Sequence, residues 1–351
     1  MEKTKENNQT NASRRSFLKF LGVASVGAVS VNATQSADSK ASSPAHNPQY
    51  KIASIIDLGL CDGCRDREIP ACVSACKAKN MTNFPEPIAE IPYYFPRKVY
   101  EDYSKNRENI KRLTPYNWTY VESLKVEDRE IFVPRRCMHC DDPTCQKLCP
   151  FGVISKDSNG AVKIDDEYCF GGAKCRDVCP WGIPQRQAGV GIYLKIAPKL
   201  AGGGAMYKCD GCADLLAKNQ KPACEVQCPK KAIIFGDREE ILQKARALAQ
   251  AYKGEKEGTY LYGDKQNGGT STFYVSPVSF ESIQESLNAK HKFTQEQPQK
   301  MGIPHMNLEI KNFVSEDSAL IKSVLLAPLV GVVAGGIAVA KANKADKKES
   351  K

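Results

Sequence analysis

No G-x-S-x-G elbow, phosphate-binding loop or dinucleotide fingerprint occurs in the sequence, and no residue set reads as a molybdenum or nickel site. The chain is therefore not expected to transform a substrate alone. Histidine is scarce, at 4 in 351 residues, so any metal chemistry rests mainly on other ligands. Long apolar runs are missing everywhere between the two ends, which excludes a multi-span membrane protein. A composition of 42% hydrophobic and 26% charged residues excludes a mainly disordered one. What stands out is cysteine. There are 15, and an odd total argues against a pure disulfide framework. The formal charge of +10 ordinarily prompts nucleic acid or an anionic membrane, but it has to be recounted once the cysteines are assigned.

Both ends read as addresses. Ser13-Arg14-Arg15-Ser16-Phe17-Leu18-Lys19 precedes an uncharged stretch from Phe20 to Val31, too short to span a bilayer and suited to a signal segment. The paired arginines look like a twin-arginine export signal, which moves folded proteins. The segment is expected over 1–33, with cleavage after Ala33 or retention both open, and a linker over 34–49. At the other end Ser323 to Ala340 is free of charge and, as a helix, would be roughly 27 Å long against a hydrocarbon core of ~30 Å. A transmembrane helix is expected over 319–341, kinked at Pro328, with a buried soluble helix as the other reading. The lysine-rich tail over 342–351 predicts a cytoplasmic C-terminus and a translocated body.

All fifteen cysteines fall into four runs: Cys61, Cys64, Cys72, Cys76; Cys137, Cys140, Cys145, Cys149; Cys169, Cys175, Cys179; and Cys209, Cys212, Cys224, Cys228. The first and fourth share Cys-Asp-Gly-Cys and a later Pro-Ala-Cys, so a short loop motif is repeated. An iron–sulfur cube needs soft thiolates, and a tight loop with cysteines every third residue wraps one face of it while its N–H groups offset the charge. The Cys-Pro that ends three runs turns the chain away toward a neighbouring cluster. Zinc ribbons pair Cys-x2-Cys with a second such pair, a pattern these runs do not follow.

With these runs on the page, the chain resembles the four-cluster ferredoxin-type subunits of membrane respiratory oxidoreductases. They are the beta or electron-transfer subunits of formate dehydrogenases, uptake nickel–iron hydrogenases and dimethylsulfoxide reductases. The layout is nearest the hydrogenase and formate dehydrogenase versions. The resemblance implies an α+β fold of two ferredoxin-like (bacterial dicluster) modules, one inserted in the other, within 50–235, plus the single C-terminal transmembrane helix. It implies that run one shares clusters with run four, and run two with run three. Carried over by position, Cys61, Cys64, Cys72 and Cys228 hold one 4Fe–4S cluster. Cys209, Cys212, Cys224 and Cys76 hold a second, and Cys137, Cys140, Cys145 and Cys179 a third. Gly172 stands where the family has a ligand, which leaves Cys169, Cys175 and Cys149 for the fourth. That set implies a 3Fe–4S cluster, or a 4Fe–4S cluster with a non-cysteine ligand. Four clusters of about −2 each would leave the holoprotein near a charge of about +2, so nucleic-acid binding is disfavoured.

The implied work is electron transfer between a periplasmic catalytic subunit, of hydrogenase, formate dehydrogenase or other molybdopterin type, and a membrane cytochrome b or quinone-reactive partner. The alternatives are a stand-alone membrane-tethered polyferredoxin and the iron–sulfur subunit of a dimethylsulfoxide-reductase-type terminal reductase. No residue is assigned to catalysis. Elsewhere the pattern predicts a strand over 51–58, a hairpin strand at 161–165, and a capped helix from Asp237 with an apolar face of Ile241, Ala245, Leu248, Ala249 and Tyr252. A tyrosine-rich insertion over 91–132 is expected to cover either a partner or a cluster, followed after 235 by an extension over 236–318. His139, inside run two, reads as a surface histidine ahead of a hydrogen-bonding tuner of a cluster.

Overall fold

The computed structural model describes residues 51–88, 91, 101–196, 204–294, 300–312 and 314. The arginine pair, the linker, the apolar stretch at 323–340 and its tail lie outside the described residues. Among the described residues no helix is long and apolar enough to cross a membrane.

Along the chain, β1 (Ile52–Asp57) leads into the first cysteine run, whose second half opens α1 (Ala71–Asn80). The hairpin β2 (Tyr120–Val126) and β3 (Arg129–Arg135) precedes the second run, which contains α2 (Thr144–Lys147). A smaller hairpin, β4 (Ile154–Lys156) and β5 (Val162–Ile164), leads to the third run with α3 (Lys174–Asp177). Next come β6 (Gln185–Gln187), α4 (Tyr193–Ile196) and β7 (Ala205–Tyr207). The fourth run holds α5 (Ala213–Leu216) and α6 (Ala223–Val226). Then follow β8 (Ile233–Asp237), α7 (Arg238–Lys253), β9 (Leu261–Tyr262), β10 (Thr272–Val275) and α8 (Phe280–His291).

The Ile-rich β1 is buried on both faces, as a central strand should be. It pairs antiparallel with β8, Ile56 facing Ile233, and parallel with β10, Ile55 facing Phe273. The strand before run one thus meets the strand after run four, which closes one module around the segment carrying runs two and three. Strands β10 and β9, from the C-terminal extension, complete the same sheet in the order β8-β1-β10-β9; the extension is part of the core.

Helix α7 covers this sheet as its apolar spacing requires. Ile241, Leu242, Ala245 and Ala249 are buried against Ala53, Ile55, Phe273 and Val275. A buried Ile or Leu contributes roughly 1.5–3 kcal/mol. The Asp237 carboxylate caps the helix, accepting from Glu239 N at 2.9 Å and Glu240 N at 3.3 Å, and Gly254 at φ +53° ends it. The hairpin strand expected at 161–165 is β5, paired with β4 through a turn in which Gly160 takes φ +86°.

Of the tyrosine-rich insertion, the described part turns inward. Tyr116, Trp118 and Tyr120 are buried, and Phe84 packs edge-on against Tyr116 and Trp118 at 5.9 and 6.0 Å. These rings are core, so they do not cover a partner. Tyr93, Tyr94 and Tyr100 lie outside the described residues.

Candidate metal centres

The shared wording of runs one and four produces the same geometry twice. Asp62 Oδ1 accepts from Cys64 N at 3.0 Å, and Asp210 Oδ1 from Cys212 N at 2.9 Å. Each Asx turn passes through two left-handed residues, Gly63 (φ +69°) and Cys64 (φ +52°) in one, Gly211 (φ +69°) and Cys212 (φ +51°) in the other. Glycine is required in both: a Cβ at Gly63 would lie 2.2 Å from the Phe132 ring, and one at Gly211 would lie 3.1 Å from His139 Cε1. Pro70 and Pro222 then start α1 and α6 with nearly equal torsions, which aims Cys72 and Cys224 alike. The two helices pack together, and Lys79 on α1 bridges to Asp210 and Asp214 at 3.2 and 2.7 Å.

All fifteen cysteines are free thiols within the described residues. Charge coupling among the thiols sorts them into four groups, with some coupling across group boundaries. Cys61 has Cys228 and Cys64 beside it, and Cys72 has Cys61, Cys64 and Cys228. These four line one small cavity together with Pro70, Pro229 and Ile233. Cys76 neighbours Cys209, Cys224 and Cys212. Cys140 neighbours Cys145, Cys137 and Cys179. Cys175 is coupled to Cys145 first, then to Cys169, Cys179 and Cys149, and Cys169 is coupled to Cys149. Charge coupling between groups gives an order: Cys72 is coupled to Cys224, Cys209 to Cys137, and Cys175 to Cys145. The four groups are therefore linked in series.

The donor chemistry fits a group that brings positive charge. Burial first, and neighbouring thiols after it, push Cys61, Cys179 and Cys212 up to about 12 and Cys76, Cys140 and Cys175 well above the usual thiol range. Such thiols ionise only with a cation among them. Backbone N–H groups already point at the sulfurs: His139 N to Cys137 Sγ at 3.4 Å, Gly211 N to Cys209 Sγ at 3.4 Å and Ala232 N to Cys228 Sγ at 3.3 Å. Among the described residues no three His, Cys, Asp or Glu side chains are gathered tightly enough for one metal ion. Corner ligands of an iron–sulfur cube stand further apart than the ligands of a single ion.

Buried cations around the middle groups were not read from the sequence. Arg136 is buried, donates to Ser54 Oγ at 2.5 Å and stacks over Phe235; its charge lowers the Cys209 and Cys224 thiols against the larger effect of burial. Lys208 donates to Cys209 O at 3.0 Å and to Val162 O, and it lowers Cys145 in the same way. Each cation directly precedes the first cysteine of a run, a signal the sequence did offer. By contrast, Glu101 accepts from Arg176 at 2.5 and 2.9 Å and from Arg186 at 2.5 Å in a buried cluster, and Arg186 also donates to Gly171 O at 2.9 Å inside run three. Nothing in the spacing announced it.

His139 corrects the sequence reading. It is buried, at 4% exposure, and its ring stands between Val162 N, 2.9 Å from Nδ1, and Cys209 Sγ, 3.6 Å from Nε2. The surface placement fails because its position repeats that of Gly63 and Gly211, at the inner bend of a cluster-type loop.

Repeated cysteine loops in two interleaved modules of mixed helix and strand define a polyferredoxin-type electron carrier. Comparison with known proteins agrees: a 4Fe-4S dicluster domain matches residues 60–153 and another matches 129–238. The hydrogenase-2 operon protein HybA of Escherichia coli O157:H7 is 29% identical over 306 residues, 77% of this chain and 82% of the relative. The iron–sulfur subunit of the nitrate-inducible formate dehydrogenase of Escherichia coli K12 is 30% identical over 249 residues, 69% of this chain and 74% of the relative. A probable anaerobic dimethyl sulfoxide reductase chain, YnfG, of the same strain is 32% identical over 195 residues, 55% of this chain and 77% of the relative. The chain belongs to this family of iron–sulfur electron-transfer subunits, and its function is to carry electrons through iron–sulfur clusters.

Proposed function

We propose that the series of cysteine groups is a four-cluster wire joining a catalytic subunit to a membrane partner. In this reading Cys61, Cys64, Cys72 and Cys228 hold the first 4Fe–4S cluster, and Cys76, Cys209, Cys212 and Cys224 the second. Cys137, Cys140, Cys145 and Cys179 hold the third, and Cys149, Cys169 and Cys175 a 3Fe–4S cluster. The observation that carries it is the single cavity lined by four cysteines from runs at opposite ends of the body. When bound, the clusters supply one-electron redox chemistry. The chain's own residues fix their order, bury them, and hold Arg136 and Lys208 beside the middle pair to offset added negative charge.

Both ends of the series carry exposed apolar side chains suited to partners. Leu60, beside Cys61, is 48% exposed at one end. At the other, the exposed Phe151 stacks on Phe170 at 4.3 Å, with Tyr168 and Ile196 also exposed. The partners in this reading are a hydrogenase- or formate-dehydrogenase-type catalytic subunit and a cytochrome b or quinone-reactive membrane subunit. The names of the relatives support the catalytic partner. We place the body on the periplasmic face, exported through Arg14 and Arg15 and anchored by the stretch at 323–340. Membranes of the source cell should yield the chain with a stoichiometric catalytic subunit. Arg14→Lys with Arg15→Lys should leave cluster-loaded protein in the cytoplasm. Isolation of the wild-type chain alone would favour a stand-alone polyferredoxin, and normal export of the double variant would remove the twin-arginine assignment.

A further inference from the structure

His139 sits where the second and third cysteine groups meet. Its backbone belongs to the loop between Cys137 and Cys140 and takes φ +50°, a conformation that glycine fills in the two sister loops. The loop is held from outside: Ser271 N donates to His139 O at 3.0 Å, and Lys156 Nζ donates to the same oxygen at 3.1 Å and to Cys140 O at 2.8 Å. The ring crosses to the other group. Val162 N, on β5, donates to Nδ1 at 2.9 Å, so Nδ1 carries no proton and the neutral ring bears its hydrogen on Nε2. Val162 is itself fixed, because its carbonyl accepts from Lys208. The one ring hydrogen is thereby aimed at Cys209 Sγ, 3.6 Å from Nε2. Gly211 leaves room for the ring, where a Cβ would lie 3.1 Å from Cε1.

We propose that His139 is a positioning residue that sets the reduction potential of the second cluster through one Nε2–H···Sγ hydrogen bond to Cys209. The proposal rests on the ligand reading given above. Adding one electron to that cluster makes its thiolates stronger acceptors, so the N–H stabilises the reduced form more than the oxidised form and raises the potential. The loop supplies the ring and the neighbouring module supplies the sulfur, so the bond also ties the two middle clusters together.

The test uses the full cluster-loaded chain. His139→Gly keeps the backbone conformation of the sister loops and deletes the donor. His139→Asn tolerates the same torsion and is too short to reach Sγ. In redox titration followed by EPR, each variant should lower one midpoint alone, by about tenfold in the one-electron equilibrium constant, or about 59 mV. Wild-type protein grown on 15N-histidine should show, when reduced, spin-echo modulation from a histidine nitrogen at one cluster. That measurement needs no variant to fold. Absence of the modulation, unchanged midpoints in a loaded variant, or an equal shift of every midpoint would overturn the proposal. A wild-type chain loading fewer than four clusters would count against the ligand reading instead, and iron content separates the two failures.

Discussion

Gly172→Cys should add about one iron to the purified chain and abolish the oxidised-state EPR signal of a 3Fe–4S centre. Run three has three cysteines, and Cys169 and Cys175 are both coupled to Cys149; the other cysteines coupled to Cys175, Cys145 and Cys179, belong to the set assigned to the third cluster. Gly172 is midway between Cys169 and Cys175, three positions past Cys169, where the sister loops have Cys64, Cys140 and Cys212. Steric limits do not oppose the change: a Cβ built there meets nothing within 4 Å, and the residue is not in the left-handed region. Its neighbour is different. Gly171 takes φ +64°, and a Cβ on it would lie 2.4 Å from Gly204 O. Gly171 therefore shapes the loop, while Gly172 simply lacks a thiol. With the thiol restored, the oxidised cluster should become EPR-silent and a reduced-state 4Fe–4S signal should appear at lower potential. An unchanged spectrum and iron count would show that the native site already held four irons with a non-cysteine ligand.

Glu101→Ala should destabilise the protein by about 3–5 kcal/mol and empty the fourth site first. The carboxylate is the counter-charge of two buried guanidiniums, with side-chain exposures of 5% for Glu101, 8% for Arg176 and 1% for Arg186. Removing it leaves both charges in the interior, a loss far larger than a surface ion pair could cause. Arg186 also holds the Gly171 carbonyl, so the damage is directed at run three. Denaturant unfolding with iron analysis checks both parts. The pH dependence has a definite sign. Burial alone would raise the Glu101 pKa, but hydrogen bonds and charge from Arg176 and then Arg186 hold it below the usual carboxylate range. Its stabilisation is complete above that range and is lost as pH falls through the depressed value. Glu101→Gln should therefore flatten the acid limb of the stability profile. A limb identical to wild type would remove the triad from the account.

The cysteine spacing made the chemistry legible because thiolate ligation leaves a local mark: each run carries its cysteines within about twenty residues of chain. The strand at β1 and the capped helix α7 were legible for the same reason, their patterns being local. Pairing of β1 with β10 was not, since nothing near Thr272 marks its partner more than two hundred residues earlier. Glu101 was missed on the same ground, as its arginines stand 75 and 85 positions away. The His139 misreading was avoidable. Aligning the four runs puts it at the bend held by Gly63 and Gly211, where a side chain has no route to solvent and must face a neighbouring loop.

Native mass spectrometry of the anaerobically purified chain addresses the central claim most directly. The account predicts one dominant species whose added mass equals three 4Fe–4S clusters and one 3Fe–4S cluster, about fifteen irons, losing whole clusters stepwise on activation. A bare chain, zinc-sized increments, or a dominant form with only two clusters would contradict it.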